Sequence, residues 1–217
     1  MQGERRPWLT VVGVGPGDPM WLTPAAYQAA AEAEILVGGR RALELFGFLD
    51  KERRIIDADL EGLYRYLSSV AGRPTAVLVS GDPGLYSLLG WLQRRFRPEE
   101  MRVLPGISSV QLAFARLGCS WERANIVSLH GRPLGVLDPY LEGLARQEIL
   151  LAVLPGGENT PAAVGRYMEG KGLGATVLWV GSQLGGPGER TAYLTAEKLA
   201  RADFDAAAVI IGGFSRR

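Results

Sequence analysis

Three short segments in the first half of the chain combine glycine with side chains that can hydrogen-bond to a ligand. They are Gly13–Pro19 (GVGPGDP), Ser80–Tyr86 (SGDPGLY) and Pro105–Ser109 (PGISS), and each follows a short apolar run. Glycine lets a backbone N–H approach a bound molecule closely, and hydroxyl or carboxylate groups can bond a ribose or an amine. Because ligands of open α/β sheets lie at the carboxyl ends of strands, these segments indicate a small-molecule site.

Each segment also has a purely structural explanation. The spacing of Gly13, Gly15 and Gly17 is G-x-G-x-G, not the G-x-G-x-x-G of a dinucleotide loop, so the first segment could be a tight strand-to-helix turn. Asp82 could cap a helix or form an Asx-turn before Pro83, and the serines of the third segment could cap the helix that follows. Three such loops in one half of the chain nevertheless favour a binding site.

The only histidine of the chain, His130, lies in Ser128–Arg132 (SLHGR), just after another apolar run. Histidine can accept or donate a proton near neutral pH, and an arginine such as Arg132 can hold a carboxylate through two hydrogen bonds. A structural role for His130 is the alternative. A further loop, Leu154–Pro161, also follows a predicted strand, and either Asn159 or Thr160 is expected to cap the next helix.

Several classes of protein are excluded by what the sequence lacks. It has no P-loop lysine, no G-x-S-x-G elbow and no Cys–His pair at a recognisable spacing, so it gives no sign of a covalent nucleophile. A single cysteine, Cys119, and a single histidine argue against a metal cage, and we expect no metal. The 24 basic and 23 acidic residues leave a net charge of +1, which does not favour nucleic acid as a partner. A transfer reaction that depends on aligning two substrates remains compatible with this composition.

No stretch of the sequence resembles a membrane or export segment. The apolar run after the basic N-terminus is too short for a signal peptide, and no run reaches the roughly 18 apolar residues of a membrane helix. We therefore expect a cytoplasmic protein that does not bind a membrane.

Strand and helix patterns alternate along the chain, which predicts an α/β protein with largely parallel sheets. Short apolar runs predict strands over 8–14, 35–37, 75–79, 102–104, 126–129, 148–154, 176–180 and 207–211. Amphipathic or alanine-rich stretches predict helices over 24–33, 60–70, 85–96, 108–117, 161–170 and 196–202. Residues 181–189 are rich in glycine and are expected to form a loop. With a hinge near Gly118–Trp121, we predict two lobes, residues 1–118 and 119–217.

Together, the three glycine-containing segments resemble the motifs of the tetrapyrrole (corrin and porphyrin) methylases. The family's G-x-G-P-G-D loop matches Gly13–Asp18, its Gly-Asp-Pro motif matches Gly81–Pro83, and its Pro-Gly-Ile/Val-Ser/Thr-Ser/Ala motif matches Pro105–Ser109. The motifs occur in the family's order, and the resemblance covers essentially the whole chain. It implies two α/β lobes, each a mainly parallel sheet flanked by helices, with S-adenosylmethionine in the cleft between them. It also implies a homodimer.

Finer features resemble one branch, the precorrin-6Y / cobalt-precorrin-7 carbon-5 methyltransferases of cobalamin biosynthesis. These features are Val37–Arg41 with Leu43 and Phe46, Gly106–Ala113, and Ser128–Arg132. The resemblance implies methyl transfer from S-adenosylmethionine to carbon 5 of a corrinoid precursor, with S-adenosylhomocysteine as the product. Some members of the branch are fused to a second methyltransferase, which methylates carbon 15 and decarboxylates an acetate. Because this chain ends at Arg217, soon after its last predicted strand, we expect a stand-alone enzyme with a separate partner for that step.

The resemblance also implies contacts with the cofactor, and the reaction leads us to hypothesise which residues contact the substrate and take part in catalysis. The candidate cofactor contacts are Pro16, Ser80, Gly81, Asp82, Leu85, Tyr86, Ser108, Ser109, Leu154 and Pro155, with Ser182 and Gln183 as further candidates. The candidate substrate contacts are Gly15, Arg40, Arg41 and Arg132, the arginines being expected to hold substrate carboxylates. His130 and Asp82 are the candidate catalytic residues, and His130 is expected to assist proton loss after methylation.

Two alternatives stay open at this point, besides a nicotinamide oxidoreductase, which the G-x-G-x-G spacing of the first segment disfavours. The chain could be another member of the superfamily that methylates a different ring carbon, ribosomal RNA or a diphthamide precursor, although its near-neutral charge disfavours RNA. It could also be a corrinoid-binding module without catalytic activity. Binding of S-adenosylhomocysteine distinguishes the methylases from the module.

Overall fold

The structure, a computed structural model, describes residues 7–205 and 207–214. The chain forms two compact units, Met1–Ser108 and Ser109–Arg217. The boundary expected from the sequence lies after residue 118 instead. The difference is the helix Ser109–Leu117, which contacts the last strand of the second unit and therefore groups with that unit.

The first unit is a parallel sheet with helical connections. Its elements are β1 (Leu9–Gly13), α1 (Pro24–Glu32), β2 (Ile35–Gly38), α2 (Arg40–Glu44), β3 (Glu52–Ile55), α3 (Leu60–Ser69), β4 (Thr75–Val79), α4 (Leu89–Gln93) and β5 (Met101–Leu104). The strand order is β3-β2-β4-β1-β5, and every pairing is parallel. The carboxyl ends of all five strands therefore lie together at one end of the sheet, which we call the carboxyl end of the first sheet.

Apolar clusters cover both faces of this sheet. Val12 of β1 packs in the cluster that contains α1, whereas its neighbour Val11 packs in the cluster around α3. Burial on both faces explains why these strands are continuous apolar runs in the sequence. Helix α1 confirms its predicted start, because the Thr23 hydroxyl accepts the N–H of Ala26 at 3.1 Å and Pro24 is the first helical residue.

The second unit contains a mixed sheet. Its elements are α5 (Ser109–Leu117), β6 (Ala124–Ser128), α6 (Asp138–Ala145), β7 (Leu150–Leu154), α7 (Pro161–Gly170), β8 (Val177–Ser182), β9 (Arg190–Thr195), α8 (Ala196–Leu199) and β10 (Ala208–Gly212). The strand order is β6-β7-β10-β8-β9, in which the β6–β7 pair is parallel and the other pairs are antiparallel.

The α/β class, with two sheets flanked by helices, is thus confirmed, but the expectation of a mainly parallel sheet does not hold for the second unit. The physical reason is connectivity. The short segment after β8 returns the chain directly as β9, and a tight return of this kind can only pair strands in opposite directions. Strand β10 then enters between β7 and β8 against their common direction.

Several stretches differ from the predicted elements, and α2, α6 and β9 are among the elements that are not predicted. The helix expected over 85–96 is reduced to α4, because Tyr86 has a φ of 48°, which is incompatible with an α-helix. The loop expected over 181–189 is wrong for its first two residues, which extend β8. Strand β3 is not predicted, because its sequence, ERRI, is mostly charged, as suits a strand at the edge of a sheet.

Two kinds of feature are absent from residues 7–205 and 207–214. No helix in these ranges is both long enough and apolar enough to cross a membrane. Nor do three His, Cys, Asp or Glu side chains come together there as the ligands of a metal ion would.

Candidate functional site

The three glycine-containing segments meet at the carboxyl end of the first sheet. Strand β1 lies between β4 and β5, so the loops that follow these three strands are neighbours. The N–H of Val14 donates to the carbonyl of Val79 at 2.9 Å, and Gly15 and Gly81 exchange hydrogen bonds of 3.3 and 2.7 Å. The first and second segments are therefore joined through their backbones.

Gly13, Gly81 and Gly106 bring three backbones into direct contact. A Cβ atom added to Gly106 would lie 2.3 Å from the carbonyl oxygen of Gly81 and 2.6 Å from the carbonyl carbon of Gly13. A Cβ atom added to Gly13 would lie 2.5 Å from the amide nitrogen of Gly106. These distances leave no room for a side chain, so the loops can approach one another only because both positions are glycine.

Asp82 connects the second and third segments. Its Oδ1 accepts the N–H of Gly84 at 2.8 Å, and its Oδ2 accepts the N–H of Gly106 at 3.1 Å. The first bond is the Asx-turn that the sequence offered as the structural alternative. Both carboxylate oxygens are therefore engaged in fixing the loops, and a part for Asp82 in the chemistry stays a prediction.

The predicted cofactor contacts of the first unit differ in their exposure. Ser80 and Tyr86 are exposed, Pro16 and Leu85 are half-buried, and Ser108 is buried. Tyr86 combines a side chain that is 54 % exposed with a positive φ of 48°, which is unfavourable for a residue with a bulky side chain. Strain of this kind, held in an exposed aromatic beside a glycine loop, supports a role in binding.

Arg40 and Arg41, the predicted substrate contacts, are the first two residues of α2. They follow β2, so they also lie at the carboxyl end of the first sheet. Both side chains are exposed, and neither forms an ion pair with another residue that the structure describes. Two uncompensated guanidinium groups remain available for the carboxylates of a ligand.

A second group of predicted residues gathers in the second unit. Strands β6, β7 and β8 run in the same direction, so their carboxyl ends lie at one end of the second sheet. The predicted contacts that follow these strands are His130 and Arg132 after β6, Leu154 and Pro155 at β7, and Ser182 and Gln183 at β8. The sequence assigned these residues separately, and the sheet places them at the same end.

His130 is held by its own strand and by the loop after β7. Its Nδ1 lies 3.1 Å from the hydroxyl oxygen of Ser128, which also accepts the backbone N–H of His130 at 3.3 Å. One face of the ring lies on Gly156, where an added Cβ would be 2.3 Å from the imidazole Cδ2. The Nη1 of Arg132 donates to the carbonyl of Ser128 at 3.3 Å, which leaves most of this exposed guanidinium free.

The loop that carries His130 is anchored by Asn159, one of the two residues that the sequence offered as the cap of α7. Thr160 caps α7 by accepting the N–H of Ala163 at 3.2 Å. Asn159 instead donates its amide hydrogens to the carbonyls of Leu129 at 3.0 Å and Arg132 at 2.7 Å. These bonds could not be inferred from the sequence, because the partners are some 30 residues apart and meet only in the folded sheet.

The glycine-rich segment between β8 and β9 is tied down by one carboxylate. Glu189 accepts hydrogen bonds from Arg116 of α5 at 2.6 and 3.1 Å and from the N–H of Gly185 at 2.7 Å. The bond from Arg116 is the main reason why the pKa of Glu189 is lowered below its ordinary value of 4.5. The same pair raises the pKa of Arg116.

We expect Glu189→Gln to lower the free energy of unfolding by about 1 kcal/mol near pH 7, since it removes the charge but keeps the shape. A carboxylate with a lowered pKa stabilises the fold above its unfolded-state pKa, and this contribution is lost as the pH falls through the lowered pKa. Urea unfolding should therefore show a gap between wild type and variant that closes on acidification below about pH 4.

Glu158→Gln is the matched control, because the Glu158 side chain is exposed and bonds to no other described residue. This variant should leave the free energy of unfolding unchanged both near pH 7 and below about pH 4. If the difference in the free energy of unfolding between wild type and Glu189→Gln persisted below about pH 4, the charge of Glu189 would not be its cause.

The chain is similar to proteins of known sequence over most of its length. The family described as Tetrapyrrole (Corrin/Porphyrin) Methylases matches residues 8–200. A precorrin-6Y C(5,15)-methyltransferase [decarboxylating] of Sinorhizobium sp is 37 % identical over 85 % of this chain, which spans 44 % of that protein. A cobalt-precorrin-7 C(5)-methyltransferase of Salmonella typhimurium is 32 % identical over 94 % of this chain and 98 % of its own length.

Solved structures share the fold. The precorrin-6Y methylase of cobalamin biosynthesis from Archaeoglobus fulgidus has a TM-score of 0.73 at 26 % identity, covering 94 % of this chain and 96 % of its own. The uroporphyrin-III C-methyltransferase from Thermus thermophilus, solved as a complex with S-adenosylhomocysteine, has the same TM-score at 22 % identity, covering 94 % and 91 %. At 22 % identity, the similarity to the uroporphyrin-III C-methyltransferase shows a shared fold and no more.

Proposed function

Because this chain belongs to the tetrapyrrole (corrin/porphyrin) methylase family, we propose that it methylates carbon 5 of a corrinoid precursor in cobalamin biosynthesis, with S-adenosylmethionine as the methyl donor. The corrinoid is cobalt-precorrin-7 or precorrin-6Y, the compounds named for its relatives. The observation that carries the proposal is the carboxyl end of the first sheet, where all three family motifs meet through backbone hydrogen bonds and through the Asp82 carboxylate.

The groups at this end suit the nucleoside part of the cofactor. Adenosine presents neutral donors and acceptors, and the loops offer the exposed hydroxyl of Ser80 together with backbone groups. Glycines at positions 13 and 106 keep the three loops in contact where a Cβ atom could not fit. When bound, S-adenosylmethionine supplies an electrophilic methyl group on a positively charged sulfur.

The exposed arginines suit the other substrate. Corrinoid precursors carry several carboxylates, and guanidinium groups bind carboxylates through paired hydrogen bonds. Arg40 and Arg41 are the candidates for this purpose in the first unit and Arg132 is the candidate in the second, while Gly15 stays a candidate backbone contact. The sequence shows no covalent nucleophile, so the chain accelerates the transfer by holding both substrates in alignment.

We expect S-adenosylhomocysteine to bind this protein and to stabilise it against unfolding. A ligand at 100 times its Kd adds about 2.7 kcal/mol, which is readily seen in a thermal melt. Isothermal titration gives the affinity directly. No binding would rule out a methyltransferase and would leave a corrinoid-binding module as the surviving alternative.

A turnover assay tests the substrate. The protein is mixed with S-adenosylmethionine bearing a ¹³C-labelled methyl group and with either cobalt-precorrin-7 or precorrin-6Y, and the methylated carbon is identified by NMR. A new methyl group on carbon 5 supports the proposal, and methylation at another ring carbon, or of RNA or a diphthamide precursor, would contradict it. Comparing the two corrinoids decides whether the substrate carries cobalt.

The assembly and the setting of the enzyme belong to the same proposal. The Sinorhizobium relative is more than twice as long as the matched segment, and a separate enzyme for the step at carbon 15 is part of the proposal. The homodimer and the cytoplasmic location rest on the family resemblance and on the sequence. Light scattering and cell fractionation test them.

A further inference from the structure

Ser128 lies at the carboxyl end of the second sheet. It is a buried polar residue, and it contacts the side chain of His130. It is the last residue of β6, its side chain is 2 % exposed, and its hydroxyl oxygen lies 3.1 Å from Nδ1 of His130. The same oxygen accepts the backbone N–H of His130 at 3.3 Å. Ser128 thus contacts both the backbone and the ring of the only histidine in the chain.

The position of one proton follows from this geometry. A buried hydroxyl hydrogen needs an acceptor, because leaving it unpaired has a free-energy cost. Among the residues that the structure describes, the acceptor within reach is Nδ1 of His130. A neutral imidazole that accepts a hydrogen bond at Nδ1 carries its own proton on Nε2.

The reverse arrangement is unfavourable for the same reason. If Nδ1 carried the proton and donated it to Ser128, the hydroxyl oxygen would accept two N–H groups and its own hydrogen would have no partner among the described residues. The contact of the ring with Gly156 holds the imidazole in this orientation. The Nε2 atom forms no hydrogen bond with any described residue, and the His130 side chain is exposed.

We propose that Ser128 is a positioning residue that fixes the Nε2–H tautomer of His130, so that His130 meets the corrinoid as a hydrogen-bond donor rather than as a base. With Arg132 two residues along, the pair presents N–H donors that suit a carboxylate of the substrate. This role replaces the prediction that His130 assists proton loss. The assignment of the corrinoid rests on the proposed function, whereas the tautomer does not.

The tautomer can be measured directly in the free protein. Because the chain has one histidine, long-range ¹H–¹⁵N spectra of tag-free protein show a single imidazole and need no further assignment. For the neutral imidazole we expect a protonated Nε2 and an unprotonated Nδ1, with the Nε2–H form favoured at least about tenfold over the Nδ1–H form. A proton on Nδ1 in the wild-type protein would overturn the proposal.

Two serine variants and a control complete this measurement. Ser128→Ala should raise the Nδ1–H fraction several-fold, and Ser128→Thr, which keeps the hydroxyl, should restore the wild-type ratio. Ser182→Ala is the matched control, since Ser182 is also 2 % exposed and ends a strand at the same end of the sheet. It should leave the His130 tautomer unchanged. A ratio that Ser128→Ala does not alter would overturn the proposal.

Steady-state kinetics of methylation then separate donor from base. His130→Gln places an amide N–H near the position of Nε2, so its KM for the corrinoid should stay within about threefold of the wild-type value. His130→Ala should raise this KM about tenfold, as expected for the loss of one hydrogen bond. A fall in kcat of about a hundredfold for both variants, with KM unchanged, would identify a base and refute the donor role. If the wild-type protein methylates no corrinoid, the proposed function fails while the NMR result stands on its own.

Discussion

Gly106→Ala is expected to lower the free energy of unfolding by about 3 kcal/mol or more and to abolish the binding of S-adenosylhomocysteine. The new Cβ atom would lie 2.3 Å from the Gly81 carbonyl oxygen and 2.6 Å from the Gly13 carbonyl carbon. Both neighbours are backbone atoms of loops fixed by the ends of buried strands, so neither can move aside as a flexible side chain would. The loops must separate, and the hydrogen bond from Gly106 to Asp82 is lost with them.

Urea unfolding measures the loss of stability, and calorimetric titration measures the loss of binding. Gly39→Ala provides the control in the same unit, because nothing lies within 4 Å of its added Cβ and its φ is −64°. That variant should change the stability by less than about 0.5 kcal/mol. Near-wild-type stability and binding for Gly106→Ala would show that the contact between the loops is not needed.

Asp82→Ala is expected to have the second largest effect, with a loss of stability of about 2 kcal/mol and weaker cofactor binding by at least tenfold. The substitution leaves the N–H groups of Gly84 and Gly106 without their acceptor, and each unsatisfied buried donor costs about 1–3 kcal/mol, less where water can reach it. Since the two bonds hold the second and third segments together, the cofactor would meet a loosened surface.

Asp82→Asn distinguishes a structural role from a chemical one. Its amide oxygen can replace one acceptor but its NH₂ group faces the other N–H, so we expect intermediate losses of stability and binding. If Asp82 only fixes the loops, kcat at saturating concentrations of both substrates should change little in this variant. A large fall in kcat with normal stability and affinity would instead place Asp82 in the chemistry.

The parts of the fold that were predictable are those in which local pattern and burial agree. Strand β4 is predicted with its observed bounds because Thr75–Val79 is apolar on both faces, and α7 because Pro161 and Gly170 mark its ends. Strand β3 was not predictable, since an edge strand needs only one partner and its charged residues carry no apolar pattern. Strand β9 was missed because it directly follows a glycine-rich segment whose composition indicates a loop.

The candidate site was predictable as a set of loops but not as a set of contacts. The motif residues Gly13, Asp82 and Gly106 follow strands in the sequence, and parallel strand order brings such loops together. Which atoms then meet depends on register and backbone conformation. The bond from Ser128 to the His130 ring and the strained backbone of Tyr86 exist only in three dimensions, so no spacing rule indicates them.

The central place of β1 in its sheet has a consequence for how the chain acquires its structure. Leu9–Gly13 pairs with Thr75–Val79 on one side and with Met101–Leu104 on the other, so its first partner is synthesised more than sixty residues later. Until then β1 is an apolar segment with two open edges, exposed to mispairing and to chaperones. Such distant pairings slow folding, whereas β8 and β9 of the second unit can form a local hairpin at once. We therefore expect the first unit to set the folding rate of the whole chain.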